Sequence, residues 1–197
     1  MARPPRNEYV GGFYHVNTRG NNRRRIFIDA RDREVFIKMI ERVVRRYCWQ
    51  IYAYCLMTTH FHLVLELPEG GMSAGMCELN GGFARWSNWR HGREDHLFGK
   101  RYSSTAIERD AHLLEACRYV VLNPVRAGLC SKPEDWPWSS YRASAGISPA
   151  PSFLALDRLL FLFASRREDA MRAYRTFIRN GLLSSGQVLV PGTDTEV

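Results

Sequence analysis

The amino-acid sequence predicts an α+β fold: a four-stranded antiparallel sheet with helices on one face, followed by a C-terminal helical extension. Three observations predict it. Short strand-forming runs occur at Phe13–Thr18, Trp49–Met57, His60–Leu67 and Ser103–Ile107. Segments with apolar residues at helical spacing separate them in the order strand, helix, strand, strand, helix, strand. The length of 197 residues and the 45% hydrophobic content suffice for one domain with a core of ordinary size. That element order is the pattern of ferredoxin-like and RRM-like sheets.

Each element has a local reason. Phe13 to Thr18 alternates apolar and polar residues and leads into Arg19-Gly20-Asn21-Asn22-Arg23-Arg24-Arg25, a turn followed by a basic cluster. Asp29 is placed to N-cap a helix running to about Tyr47, with Val35, Met39, Ile40, Val43, Val44 and Tyr47 as its buried stripe. Only Thr58-Thr59 separates the next two strands, and these are not favoured hairpin-turn residues. Pro68-Glu69-Gly70-Gly71 ends the third strand. A second helix then presents Met76, Leu79, Phe83 and Trp86, weakened at Gly81-Gly82 by about 1 kcal/mol per glycine. Ala111 to Leu122 reads as a third helix. The last helical region, Leu154 to Gly181, follows a Gly/Ser/Pro-rich linker over 144–152. The chain thus divides into a domain over 1–145, a helical extension over 146–183 and a flexible tail over 184–197.

Composition narrows the function. Lys and Arg number 28 against 20 Asp and Glu, a net charge of +8 that favours a polyanionic partner such as nucleic acid. Five cysteines without a C-x-x-C pair argue against a disulfide framework or a zinc knuckle. The N-terminal Met1-Ala2-Arg3-Pro4-Pro5-Arg6 has no apolar signal region, and no stretch is apolar enough to span a bilayer. A cytoplasmic protein, nucleoid-associated when bound to DNA, is expected.

The chemistry concentrates in two places. Thr59-His60-Phe61-His62-Leu63-Val64-Leu65 places two histidines two residues apart on a strand, so both imidazoles point to one face and Phe61, Leu63 and Leu65 to the other. Paired imidazoles can share one divalent ion. The third helix carries Tyr119 and Asn123 four residues apart, one above the other on one face. Tyr119 offers a phenolic nucleophile and Asn123 a carbonyl oxygen able to ligate a metal. Pro124 disfavours the α conformation at Asn123 and places the pair at the last helical turn. Glu115, one turn before Tyr119, reads as a solvated helix carboxylate.

The ordered set resembles the REP-associated tyrosine transposases, a branch of the single-tyrosine HUH transposases (His, hydrophobic, His). It comprises Thr59-His60-Phe61-His62-Leu63-Val64 and Arg118-Tyr119, then Asn123-Pro124-Val125-Arg126-Ala127-Gly128-Leu129. Further matching pieces are His15-Val16-Asn17-Thr18-Arg19-Gly20, His91-Gly92-Arg93, His96-Leu97-Phe98, Arg101-Tyr102 and Trp138-Ser139-Ser140-Tyr141. The resemblance implies that His60, His62 and Asn123 bind Mg²⁺ or Mn²⁺. It further implies that Tyr119 attacks a phosphodiester of single-stranded DNA beside a REP-like hairpin, leaving a 5′-phosphotyrosine and a free 3′-hydroxyl. Strand transfer would follow by reversal. By the same resemblance the chain acts as a monomer, although related transposases are dimers.

DNA contacts are expected from the basic cluster Arg19, Arg23, Arg24 and Arg25 and from the interleaved Arg85, Trp89, Arg90 and Arg93. Two other readings remain: a hairpin-binding protein of transposase descent that no longer cleaves, and a zinc hydrolase built on the two histidines. The last lacks an H-E-x-x-H or a second carboxylate at ligand spacing.

Overall fold

The computed structural model describes residues 8–108 and 110–183. Four strands, β1 (Gly12–Arg19), β2 (Gln50–Leu56), β3 (His60–Leu67) and β4 (Ser103–Ile107), form one sheet in the order β2-β3-β1-β4. All neighbours are antiparallel. Helices α1 (Ala30–Tyr47) and α2 (Met72–His91) complete the expected βαββαβ unit. Both lie against the face formed by Tyr14, Val16, Phe61 and Leu63, where Phe36 of α1 stacks 4.7 Å from Phe61 and 4.9 Å from Phe83 of α2. Helix α3 (Asp110–Arg126) lies on β2 and β3 across the opposite face. Two short helices, α4 (Tyr141–Ser144) and α5 (Leu156–Phe161), and a longer α6 (Arg167–Leu183) follow.

Three boundaries differ from the sequence reading, each for a tertiary reason. The buried line of α1 runs through Phe36, Ile40 and Val43, with Val35, Met39, Val44 and Tyr47 at its margins. Helix α3 continues past the expected end at Leu122, through Pro124 to Arg126, so Asn123 falls in its last turn as expected and Tyr119 one turn before. The C-terminal region is two helices and not one. The 184–197 tail lies outside the described residues.

The Thr58-Thr59 turn is held from elsewhere in the chain. Gly20 N–H donates to the Thr59 carbonyl at 2.8 Å, and Ile26 N–H donates to the Thr58 carbonyl at 3.0 Å. Those long-range bonds compensate for poor intrinsic turn chemistry, because they satisfy carbonyls that a tight turn would leave unpaired. Gly75 has a similar role in α2: a Cβ there would collide with the fully buried Trp49 indole, so only glycine lets the helix approach so closely. The outer edge of β2 is covered by the aromatic segment after Pro133. Leu56 N–H donates to the Trp138 carbonyl at 2.8 Å and Ser140 N–H to the Tyr54 carbonyl at 3.0 Å. That segment is clamped by the buried Arg33, whose guanidinium lies 5.4–5.7 Å from the rings of Phe27, Trp136 and Trp138.

Helix α1 starts in a capping box between Asp29 and Asp32, cross-linked to the end of α2. Arg90 donates to both Asp29 oxygens at 2.8 and 2.9 Å and also to Asp32, which His91 Nε2 approaches at 2.9 Å. Hydrogen bonding from Arg90 pulls the Asp29 carboxyl down to about 2. Burial opposes ionisation of Asp32, but hydrogen bonds from His91, the Ile28 amide and Arg90 outweigh it and keep that carboxyl below its ordinary value. Folded values below an unfolded value of about 3.9 mean stability present above that pH and lost as pH falls toward about 2. The melting temperature is therefore expected to be flat above about pH 5 and to fall between about pH 4 and 2. An Arg90→Leu variant should show a shallower fall in calorimetry; an unchanged slope would remove this pair from the acid response.

Candidate active site

Alternation along β3 brings His60 and His62 onto the face opposite Phe61 and Leu63, with ring centroids 4.9 Å apart and ring planes at 84°. The antiparallel register places Asn17 of β1 opposite His62 and Arg19 opposite His60. His15, one step further along β1, lies beside His62 with ring centroids 5.1 Å and planes 18° apart, and its Nε2 is 2.9 Å from His62 Nδ1. His60 Nδ1 lies 3.0 Å from the Thr59 hydroxyl. His62 Nε2 is buried and has no hydrogen-bond partner among the described residues.

Electrostatics keep these imidazoles neutral at pH 7. Burial lowers His15 to about 4. Burial, assisted by the nearby Arg19 charge, lowers His60 to about 4. Burial and then the neighbouring His15 and His60 hold His62 well below its ordinary value. Neutral imidazole is the form that ligates metals.

The helix that crosses this face supplies the other half. The half-buried Tyr119 of α3 sets its ring edge-on to His15 at 5.8 Å and to His62 at 5.9 Å. The Arg126 guanidinium lies 5.4 Å from the Tyr119 ring centre. Asn123 Nδ2 donates to the Tyr119 carbonyl at 3.1 Å, which leaves Oδ1 as the side chain's remaining lone-pair atom. Glu115 is joined to Arg118 in an ion pair. Arg118 in turn lies 4.4 Å over the Phe177 ring of α6, and a Cβ on Gly181 would be 2.5 Å from Arg118 Cδ. Helix α3 is thereby pressed between the sheet and α6, and the tyrosine meets the histidines within one chain.

The donor set fits a divalent cation. His62 Nε2 is an orphaned buried atom, and the Thr59 contact at His60 Nδ1 leaves Nε2 of that ring for a ligand. Among the described residues no group of three or more His, Cys, Asp or Glu side chains is arranged to hold an ion; the amide oxygen of Asn123 is the further donor expected from the sequence. Two nitrogens with one amide oxygen suit Mn²⁺ better than Mg²⁺, which prefers oxygen throughout. Such neutral ligands would leave the ion's double charge uncompensated by the protein.

The expected DNA-contact residues separate into groups. Arg19 stands beside the histidines. Arg23 is exposed in the turn after β1 at a φ of 55°. Arg24 makes a forked ion pair with Asp95 at 2.6 and 2.7 Å, and Arg25 donates to the Ile28 carbonyl at 3.4 Å. Arg90 is engaged by Asp29 and Asp32, as described above, and one guanidinium nitrogen of Arg93 is enclosed. Arg85 and Trp89 are exposed one turn apart, Trp89 at 80%, on a helix packed against the sheet face that the histidines do not occupy. Sequence reasoning gave no role to His15 or Arg126. His15 sits in a period-two register with Asn17 and Arg19, a legible signal. Arg126 lies seven residues after Tyr119, two helical turns, and long side chains lean back toward the helix N-terminus.

A strand pair of histidines facing a helical tyrosine on a ferredoxin-like sheet defines a class, and the model of the family "Transposase IS200 like" matches residues 9–123. The chain belongs to that family. It is 26% identical over 117 residues to a REP-associated tyrosine transposase of Haemophilus influenzae, an alignment that covers 54% of this chain and 66% of the relative. A solved structure of a REP-associated tyrosine transposase bound to a REP hairpin shares the fold, with a TM-score of 0.64 and 23% identity over 79% of this chain and 92% of the other. Among the described residues no helix is long and apolar enough to cross a membrane.

Proposed function

We propose that this IS200-like transposase is a REP-associated tyrosine transposase that cleaves and rejoins single-stranded DNA beside a palindromic hairpin. The observation that carries the reading is the contact of Tyr119 with both His15 and His62 in a single chain. It supports action as a monomer, and the reading places that monomer in the cytoplasm, at the nucleoid when bound to DNA. The similarity to a hairpin-bound relative supports the substrate class.

In this reading His60, His62 and Asn123 hold a divalent cation, Mn²⁺ or Mg²⁺. When bound, the cation polarises the scissile phosphodiester and offsets charge on its oxygens. Arg19, next to His60, attracts the same phosphate. The Tyr119 oxygen attacks phosphorus: the Oη–P bond forms, the P–O3′ bond breaks, the phenolic proton is lost, and the leaving oxygen is protonated to a 3′-hydroxyl. A 3′-hydroxyl from another strand reverses the step, releasing Tyr119 without a nucleotide cofactor. Packing of α3 between sheet and α6 keeps the phenol oriented, which lowers the entropic part of the barrier.

The test is a labelled REP-type hairpin with single-stranded flanks, incubated with the protein and Mn²⁺, Mg²⁺ or EDTA. A denaturant-resistant protein–DNA adduct with either ion and none with EDTA is expected. Tight hairpin binding with no adduct under any divalent ion would establish the non-cleaving binder instead.

A further inference from the structure

We infer that His15 is a positioning residue: by accepting a hydrogen bond from His62 Nδ1–H, it selects the tautomer of His62 that offers Nε2 to the divalent cation. This rests on the reading of His60 and His62 as metal ligands. The geometry behind it is the buried 2.9 Å contact between His15 Nε2 and His62 Nδ1, with the two ring planes within 18° of each other, and a His62 Nε2 that has no partner among the described residues.

A hydrogen bond between two neutral imidazoles has one donor and one acceptor, so only two arrangements exist. If His15 Nε2–H donates, the proton of His62 sits on Nε2. A buried N–H without an acceptor then points into the site, which is costly and repels a cation. If His62 Nδ1–H donates, Nε2 presents its lone pair to the same space. The second arrangement is the one compatible with a metal. Ligating histidines ordinarily donate their second N–H to a carboxylate, a carbonyl or water. Here the acceptor is another imidazole, which adds no negative charge, and the contact of the same ring with Tyr119 ties the metal half of the site to the nucleophile. His15 cannot itself ligate through Nε2 while that atom meets His62 Nδ1.

The direct test is a long-range ¹H–¹⁵N NMR spectrum of the metal-free wild-type protein at neutral pH. His62 is expected with Nδ1 protonated and Nε2 bare; an Nε2–H tautomer would overturn the inference without any variant. Mn²⁺ titration followed by the EPR signal of the free ion then compares His15→Phe with His15→Gln. His15→Phe keeps a ring against Tyr119 but has no acceptor, and should shift His62 toward Nε2–H and weaken Mn²⁺ binding about 10–100-fold. His15→Gln offers an amide oxygen and should restore most of the affinity. Equal Mn²⁺ affinity in His15→Phe and wild type would reject the role of His15. Absence of Mn²⁺ binding in wild type, with or without hairpin DNA, would instead reject the metal site, and the tautomer result would still stand or fall by itself.

Discussion

Replacing Tyr119 with phenylalanine is expected to abolish the covalent protein–DNA adduct, a loss of at least about 10³-fold in cleavage rate, while leaving hairpin affinity and thermal stability close to wild type. The substitution deletes one oxygen. The ring that meets His15, His62 and the Arg126 guanidinium is retained, so the packing of α3 on the sheet should not change. Surface or half-buried changes of this size ordinarily alter stability by about 0.5 kcal/mol or less. The discriminating measurement is therefore the pair of readouts together. Adduct formation at wild-type level in Tyr119→Phe would move the nucleophile elsewhere, and Tyr102, in the Arg101-Tyr102 piece of the family resemblance, is the next tyrosine to examine by the same substitution.

The second large effect concerns folding. Asp32→Ala is expected to cost about 3 kcal/mol, the lower end of the range for removing one partner of a buried ion pair. The lower end applies because Arg90 keeps 28% of its side-chain exposure while Asp32 has none. The loss strips one of its acceptors from Arg90 and the side-chain acceptor from His91 and from the Ile28 amide, and it removes half of the capping box of α1. For a chain of this size the melting temperature should fall by roughly 6–12 °C, read by calorimetry or circular dichroism. A shift of less than about 2 °C would show that Arg90 and His91 find water or Asp29 at little cost.

The stability effect bears on function as well. From sequence, Arg90 reads as a DNA contact because it interleaves with Trp86 and Trp89. In the fold its charge closes α2 onto α1, and its guanidinium lies over Trp86. A cation beside an aromatic residue has the same sequence signature whether it grips a phosphate or caps a helix. The capping role becomes visible only with the arrival of Asp29 and Asp32, about sixty residues earlier. Arg24 is likewise paired, with Asp95. Trp89 went the other way: at 80% exposure it has no core role, and with Arg85 it forms a surface on the side of the sheet away from the histidines.

The sequence by itself determined the local geometry. Period-two alternation put His60 and His62 on one face of a strand, and a spacing of four put Tyr119 and Asn123 on one face of a helix. The Asp29 N-cap was legible for the same reason, since caps depend on residues within one turn. Tertiary structure alone decided which faces meet. Helix α3 covers the histidine face because the opposite face is already occupied by α1 and α2, whose Phe36 and Phe83 bury Phe61. His15 entered the site because the β1–β3 register brings it diagonally across from His62, and Pro124 stayed inside a helix because packing outweighs its local cost. Backbone periodicity is a property of neighbours in the chain. The pairing of faces depends on apolar burial summed over the whole molecule, and no short window of residues contains that sum.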